Sequence, residues 1–130
     1  MLDHLTLAVV DYQKSKDFYL RALAPLGITL LMEFGVYGGF GAGNKPFFWI
    51  SAKAPDFFTS AHRAGASPIH VAFATSDRAV VDAFHREALA AGGVDHGAPG
   101  VRAIYHPHYY GAFVLDPDGN NVEAVCHAPA

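Results

Sequence analysis

The sequence predicts an α+β fold made of one unit used twice, with a strand, a helix and then three more strands in each half. Three observations carry this. The first is an internal repeat. At an offset of 66 positions (70 − 4, 77 − 11, 84 − 18), His4 falls on His70, Asp11 on Asp77, Phe18 on Phe84, Leu23 on Leu89 and Gly27 on Gly93. Self-similarity at this spacing marks one supersecondary unit repeated. The second is strand periodicity at the start of each half. Leu5, Leu7 and Val9 alternate with His4, Thr6 and Ala8, and Val71 and Phe73 alternate with His70, Ala72 and Ala74. The third is the aspartate that follows each strand and opens a helical pattern.

The elements follow in order. After Asp11, the residues Phe18, Ala22, Leu23 and Leu26 recur at helical spacing; after Asp77, Val81, Phe84, Ala88 and Leu89 do the same. Gly27 and Gly92-Gly93 stop the two helices. Shorter apolar stretches come next, at 28–34, 36–42 and 46–53 in the first half and 94–97, 101–105, 110–115 and 120–126 in the second. Asn44 and the run Asp116-Pro117-Asp118-Gly119 are turn chemistry. The ends of the halves match at slightly larger offsets, Tyr37-Gly38-Gly39-Phe40 against Tyr110-Gly111-Ala112-Phe113 and Ala54-Pro55 against Ala128-Pro129. The chain therefore divides into modules 1–55 and 67–130 within one domain, joined by a linker over 56–66 that Pro55 and Pro68 flank. Each module alone is near the size where burial is marginal, so the two should share a core or swap with a second chain.

Bulk properties exclude several classes. Apolar residues make up 52% and charged residues 16% of the 130, as in a packed globular protein. A net charge of −3 without a basic stripe argues against nucleic acid as the main partner. No apolar run is long enough to span a bilayer, so no membrane partner is expected. Met1-Leu2-Asp3-His4 lacks the pattern of a signal peptide, and the lone Cys126 has no partner for an internal disulfide; both predict a cytoplasmic protein. Cys126 reads as a buried strand residue, and His62, His85 and His96 read as surface.

The chemistry gathers on a few positions. On both first strands the face away from the core carries one histidine, His4 or His70, and then small residues, which leaves space beside the imidazole. Glu123 sits in the last strand. Two imidazoles and one carboxylate are a facial triad that holds a divalent ion and keeps positions open for substrate. Phe40, Phe47, Trp49, Tyr109 and Phe113 are candidate walls of a substrate pocket.

These residues resemble the vicinal oxygen chelate superfamily, which includes glyoxalase I, extradiol dioxygenases, fosfomycin-resistance proteins and bleomycin-resistance proteins. The resemblance covers essentially the whole chain. It rests on Asp3-His4-Leu5-Thr6-Leu7-Ala8-Val9, on Ser15-Lys16-Asp17-Phe18-Tyr19, on Ile69-His70-Val71-Ala72-Phe73 and on Tyr110-Gly111-Ala112-Phe113-Val114-Leu115-Asp116-Pro117-Asp118-Gly119-Asn120-Asn121-Val122-Glu123. It implies paired βαβββ modules around a U-shaped mixed-sheet cleft, a homodimer, and a divalent metal (Fe, Mn, Ni or Zn) on His4, His70 and Glu123, chelated by two neighbouring oxygens of a small organic substrate. Aligning Ala54-Pro55 with Ala128-Pro129 sets Trp49 opposite Glu123, where glyoxalase I carries a fourth ligand, which argues against that isomerase proper. Phe113 stands where the extradiol and fosfomycin enzymes carry a tyrosine. His106, His108, Tyr109 and Tyr110 are the nearby acid–base candidates. A lyase or isomerase and a ring-cleaving dioxygenase both stay open. The rival is a metal-free binding protein of the bleomycin-resistance type.

Overall fold

The computed structural model describes all 130 residues. In chain order the elements are β1 (Leu5–Ala8), α1 (Tyr12–Ala22), β2 (Thr29–Phe34), β3 (Tyr37–Gly41), β4 (Phe48–Ser51), β5 (His70–Thr75), α2 (Arg78–Ala90), β6 (Val94–Val101), β7 (Tyr110–Leu115) and β8 (Asn121–Cys126). They form two four-stranded sheets of identical plan, β1-β4-β3-β2 and β5-β8-β7-β6. In each sheet the first strand pairs parallel with the last, and the remaining pairs are antiparallel. The βαβββ repeat read from the sequence is the architecture found.

Both helices begin as the sequence requires. The Asp11 carboxylate accepts the Lys14 N–H at 3.0 Å, and the Asp77 carboxylate accepts the Ala79 N–H at 2.9 Å. Each satisfies a backbone donor that the first helical turn leaves without a partner. Asp77→Ala is expected to cost about 1 kcal/mol of stability, read as a fall in the midpoint of thermal or urea unfolding. After Leu23 the chain tightens into one 3-10 turn, Ala24–Leu26, and Gly27 leaves it at φ 73°.

One core joins the modules. Phe18 and Tyr19 of α1, Leu23 just after it, Phe48 and Ile50 of β4, Phe73 of β5, and Phe84, Val114 and Val122 belong to a single buried cluster. Phe48 meets Phe73 across the junction, ring edge to face, at 5.3 Å and 87°. A polar latch lies beside it. The Tyr19 hydroxyl, fully buried, donates to Asp116 Oδ2 at 2.5 Å. Asp116 also accepts from the backbone N–H groups of Asp118 and Asn120 and from the Asn120 amide. The turn at 116–120 thus closes the β7–β8 hairpin and also fastens it to the helix of the other module. Burial and the neighbouring carboxylate hold the Tyr19 phenol well above its usual range, so it stays a donor.

Strand register settles which residues share a face. Thr6 pairs with Trp49 and Ala72 with Glu123, so Trp49 and Glu123 are equivalent positions, as the Ala-Pro alignment predicts. The Tyr-Gly alignment fails by one residue. Phe40 pairs with Phe48, and Val114 pairs with Val122, so Phe40 corresponds to Val114 and not to Phe113. One residue of offset in a strand reverses the face. Phe40 is therefore fully buried in the core, whereas Phe113 faces outward beside Glu123.

Two further expectations are corrected. The stretches 94–97 and 101–105 are not two strands. A single strand, β6, runs from Val94 to Val101 with register shifts around Gly97, and the chain then turns. Gly97 at φ 155° and Pro99 interrupt the ladder without ending it. His85 is not simply a surface residue: its side chain is 12% exposed and its Nε2 lies 2.9 Å from Asp95. Cys126 is buried on the core side of β8, as expected. No helix is long and apolar enough to cross a membrane.

Candidate functional site

The open face of the second sheet carries the densest polar cluster. β5 and β8 pair in parallel, with His70 opposite Asn121 and Ala72 opposite Glu123. Alternation turns Val122 and Ala124 into the core and Glu123 away from it. Small neighbours make room for the carboxylate. A Cβ on Gly111 would stand 3.1 Å from Glu123 Oε2 and 3.2 Å from the Tyr109 ring.

Glu123 is 1% exposed, and a buried carboxylate needs partners. His70 Nε2 lies 2.9 Å from its Oε1, and the Tyr109 hydroxyl donates a short hydrogen bond to its Oε2. Burial and the Glu123 charge push the Tyr109 phenol up, so it remains protonated through neutral pH. His70 Nδ1 lies 3.2 Å from the Asn121 carbonyl oxygen, which orients its N–H there. A neutral His70 then points a lone pair at the Glu123 carboxylate. That arrangement calls for a positive charge between them, either a proton on Nε2 or a cation. Asn121 Oδ1 is buried without a donor and lines the same hollow. Phe113 stacks on His70 at 6.1 Å and 29°, and the Arg102 guanidinium also lies over the Phe113 ring, 5.3 Å from its centre. The hollow has a volume of about 500 Å³.

His127, which sequence reading missed, completes this wall together with the acid–base candidate His106. The His108 N–H donates to His106 Nδ1 at 3.0 Å, so the proton of a neutral His106 ring is on Nε2. His106 Nε2 lies 2.6 Å from His127 Nδ1, which must accept. The proton of His127 is thereby left on Nε2, the ring atom with no partner in the chain, and the ring lines the Glu123 hollow. Two-bond ¹H–¹⁵N spectra are expected to show both rings protonated at Nε2, and His106→Ala should shift the His127 Nδ1 resonance. A protonated His127 Nδ1 in the neutral ring would contradict this arrangement. The signal available in the sequence was parity: His127 stands four residues beyond Glu123 on the same alternation. His108 serves this pair through its backbone.

His4 lies elsewhere. It is exposed before β1, 2.7 Å from Asp3, which also receives Lys45 Nζ at 2.5 Å. Those two bonds, Lys45 first, hold the Asp3 carboxyl below its usual range. His4 shares a hollow with Phe34, Tyr37 and Trp49 on the first sheet, and no residue lines both this hollow and that of Glu123. Trp49 lies over Gly39, where a Cβ would meet the indole at 2.8 Å. Phe47 is half-buried against the core. Tyr110 faces the helix side of its sheet, where its hydroxyl donates to Asp82 at 2.6 Å and Arg78 lies over its ring. Alternation puts Tyr110 opposite in sense to Phe113, so it does not enter the Glu123 hollow. The structure thus brings together His70, Glu123, Tyr109, Phe113 and His106, with His127 and Asn121. It separates them from His4, Trp49, Phe40 and Tyr110. Within one chain no three His, Cys, Asp or Glu side chains form a group able to hold a metal ion. The donor pair His70–Glu123 suits a divalent cation; His4, which the family resemblance would add as a ligand, is not beside it.

Comparison with known proteins fits this frame. The family model described as the Glyoxalase/Bleomycin resistance protein/Dioxygenase superfamily matches residues 1–124, and the chain belongs to that superfamily. It is similar to a glyoxalase/bleomycin resistance protein from Albidiferax ferrireducens T118, with 26% identity, a TM-score of 0.73, and 95% of this chain and 96% of that one covered. A glyoxalase-related enzyme from Fulvimarina pelagi shares the fold at 18% identity and a TM-score of 0.67, with 97% and 87% covered. So does a lactoylglutathione lyase from Agrobacterium tumefaciens, at 17% identity and a TM-score of 0.64, with 96% and 92% covered. No protein of curated function matches the chain.

Proposed function

We propose that this protein is a divalent-metal-dependent enzyme acting on a small oxygen-bearing organic substrate, and that its site is completed in a homodimer. The observation that carries the reading is Glu123, a buried carboxylate gripped by His70 and Tyr109 at the base of an open hollow. His70 and Glu123 of one chain would hold the ion together with His4 of the second copy. Two features support the shared site. His4, just before β1, and His70, which opens β5, are equivalent positions of the repeat, yet they line separate hollows. The face near His4 also exposes large apolar groups, with Phe34 55% and Met32 47% exposed, as an interface would.

The ion would supply Lewis acidity to a substrate presenting two neighbouring oxygens. The chain's own groups set the rest. Tyr109 stays protonated and oriented on Glu123, and His127 offers an Nε2 proton into the same hollow. Phe113 provides an apolar wall beside His70. Proton donors of this kind serve a lyase or isomerase and a ring-cleaving dioxygenase alike. A cytoplasmic setting accords with the single buried thiol.

Elemental analysis of tag-free protein tests the reading. Close to one divalent ion per chain in the wild type, lost in His70→Ala, is the expected result. Protein that takes up no ion from iron, manganese, nickel or zinc would favour the metal-free binding protein, a reading that the two-donor set of a single chain keeps in view.

A further inference from the structure

The largest cavity of the chain, about 810 Å³, lies outside the Glu123 hollow, under the segment read from sequence as a plain linker. Its floor is the open face of the first sheet. Thr6 and Ala8 of β1 and Ser51 of β4 are small residues there, and they leave the space that larger side chains would fill. The second module has the same small residues, Ala72 and Ala74, but only the first module has segment 54–67 as a roof. That segment is folded, with successive turns closed by the Phe58 N–H on Pro55 O, the His62 N–H on Thr59 O and the Ala66 N–H on Arg63 O.

The lining joins an apolar body to a cluster of unpaired donors. Tyr37, Phe57, Phe58 and Ile69 supply apolar surface. Lys53 and Arg63 make no ion pair anywhere in the chain and face one carboxylate in the lining, Asp56. Lys53 is placed at the rim by Ser51, whose buried Oγ accepts the Lys53 N–H at 3.2 Å and donates to its carbonyl at 3.1 Å. His62 is a third donor with a fixed tautomer. Its Nδ1 accepts the Thr59 N–H at 3.0 Å, so a neutral ring carries its proton on Nε2, for which the chain has no acceptor. Two cations and one oriented N–H against one carboxylate, in a protein of net charge −3, form a local site for an anion.

We propose that this cavity binds a small organic carboxylate, with its apolar body against Tyr37 and Phe58 and its carboxylate toward Lys53, Arg63 and His62. The cavity adjoins the His4 hollow, since Thr6 and Tyr37 line both, but it shares no residue with the Glu123 hollow, so the inference stands or falls apart from the ligands His70 and Glu123.

The test uses 2-naphthoate and its neutral analogue 2-naphthalenemethanol, followed by calorimetry and by ¹H–¹⁵N shifts of the full chain. Saturable binding of naphthoate is expected, with shifts concentrated at residues 51–66 and about tenfold tighter affinity than the alcohol. Lys53→Ala/Arg63→Ala, at two exposed positions, should bring naphthoate down to the level of the alcohol. Glu123→Ala should leave its affinity unchanged, which keeps the result separate from any failure of the metal site. The proposal is overturned if naphthoate does not saturate, if its shifts fall on Tyr109, Glu123 and His127, or if the double variant binds it as well as the wild type does.

Discussion

Mixing two metal-free variants is expected to restore metal. His4→Ala and Glu123→Ala should each reduce bound divalent metal from near one ion per chain to background, because each removes one of three proposed ligands. If a site draws His4 from one copy and His70 with Glu123 from the other, a dimer of one His4→Ala chain and one Glu123→Ala chain keeps one intact site of its two. Random re-association makes about half of the dimers mixed, so the mixture should recover about a quarter of the wild-type metal. The physical ground is the separation of His4 from the His70–Glu123 pair within one chain. A chain that gathered all three ligands by itself would give no recovery. Unfolding and refolding the two variants together, then measuring metal per chain beside the separately treated proteins, decides it. Glu123→Ala also leaves the Tyr109 hydroxyl without its acceptor and His70 Nε2 without its partner, so its thermal midpoint should fall while that of His4→Ala, at an exposed position, stays close to wild type.

The second large effect is on stability. Phe48→Ala is expected to destabilise the fold by about 3–5 kcal/mol, lowering the thermal midpoint by roughly 10 °C or more. Phe48 is 1% exposed and touches rings from three directions, Tyr19 at 4.9 Å, Phe40 at 6.3 Å and Phe73 at 5.3 Å. Phe40 belongs to its own sheet, Tyr19 to a helix and Phe73 to the other module. Truncation therefore opens a void at the junction where both modules meet and loses edge-to-face ring contacts as well as buried area. Phe57→Ala is the control. Phe57 is 76% exposed, and its loss should change stability by no more than about 0.5 kcal/mol. A loss at Phe48 no larger than at Phe57 would mean that the modules do not depend on this contact.

The places where sequence reading succeeded and failed share one cause. Leu5, Leu7, Val71 and Phe73 against their polar alternates gave the first strands, and Asp11 and Asp77 gave the helix starts, because each signal is local and repeats at a known period. Phe40 and Tyr110 went astray because face assignment turns on a single residue of register, and no local signal states where β3 and β7 meet their neighbours. His127 escaped notice because its partner, His106, is 21 residues away. Segment 56–66 looked like a linker because Pro55 and Pro68 flank it, and flanking prolines do not say what a loop covers.

The sequence by itself therefore determined the repeated βαβββ plan, the capped helices, the turn at Asp116–Asn120 and the equivalence of His4 with His70 and of Trp49 with Glu123. Those follow from hydrophobic period, capping chemistry and self-similarity, all of which act over a few residues or copy one unit onto another. Only the tertiary structure decided which equivalent residues share a hollow. It joined Glu123 to His70 and Tyr109, set His106 against His127, roofed a cavity with the linker, and left His4 on a different face. Those outcomes depend on how two sheets pack against one shared core, and that arrangement is fixed by long-range contacts such as Phe48 with Phe73 and Tyr19 with Asp116.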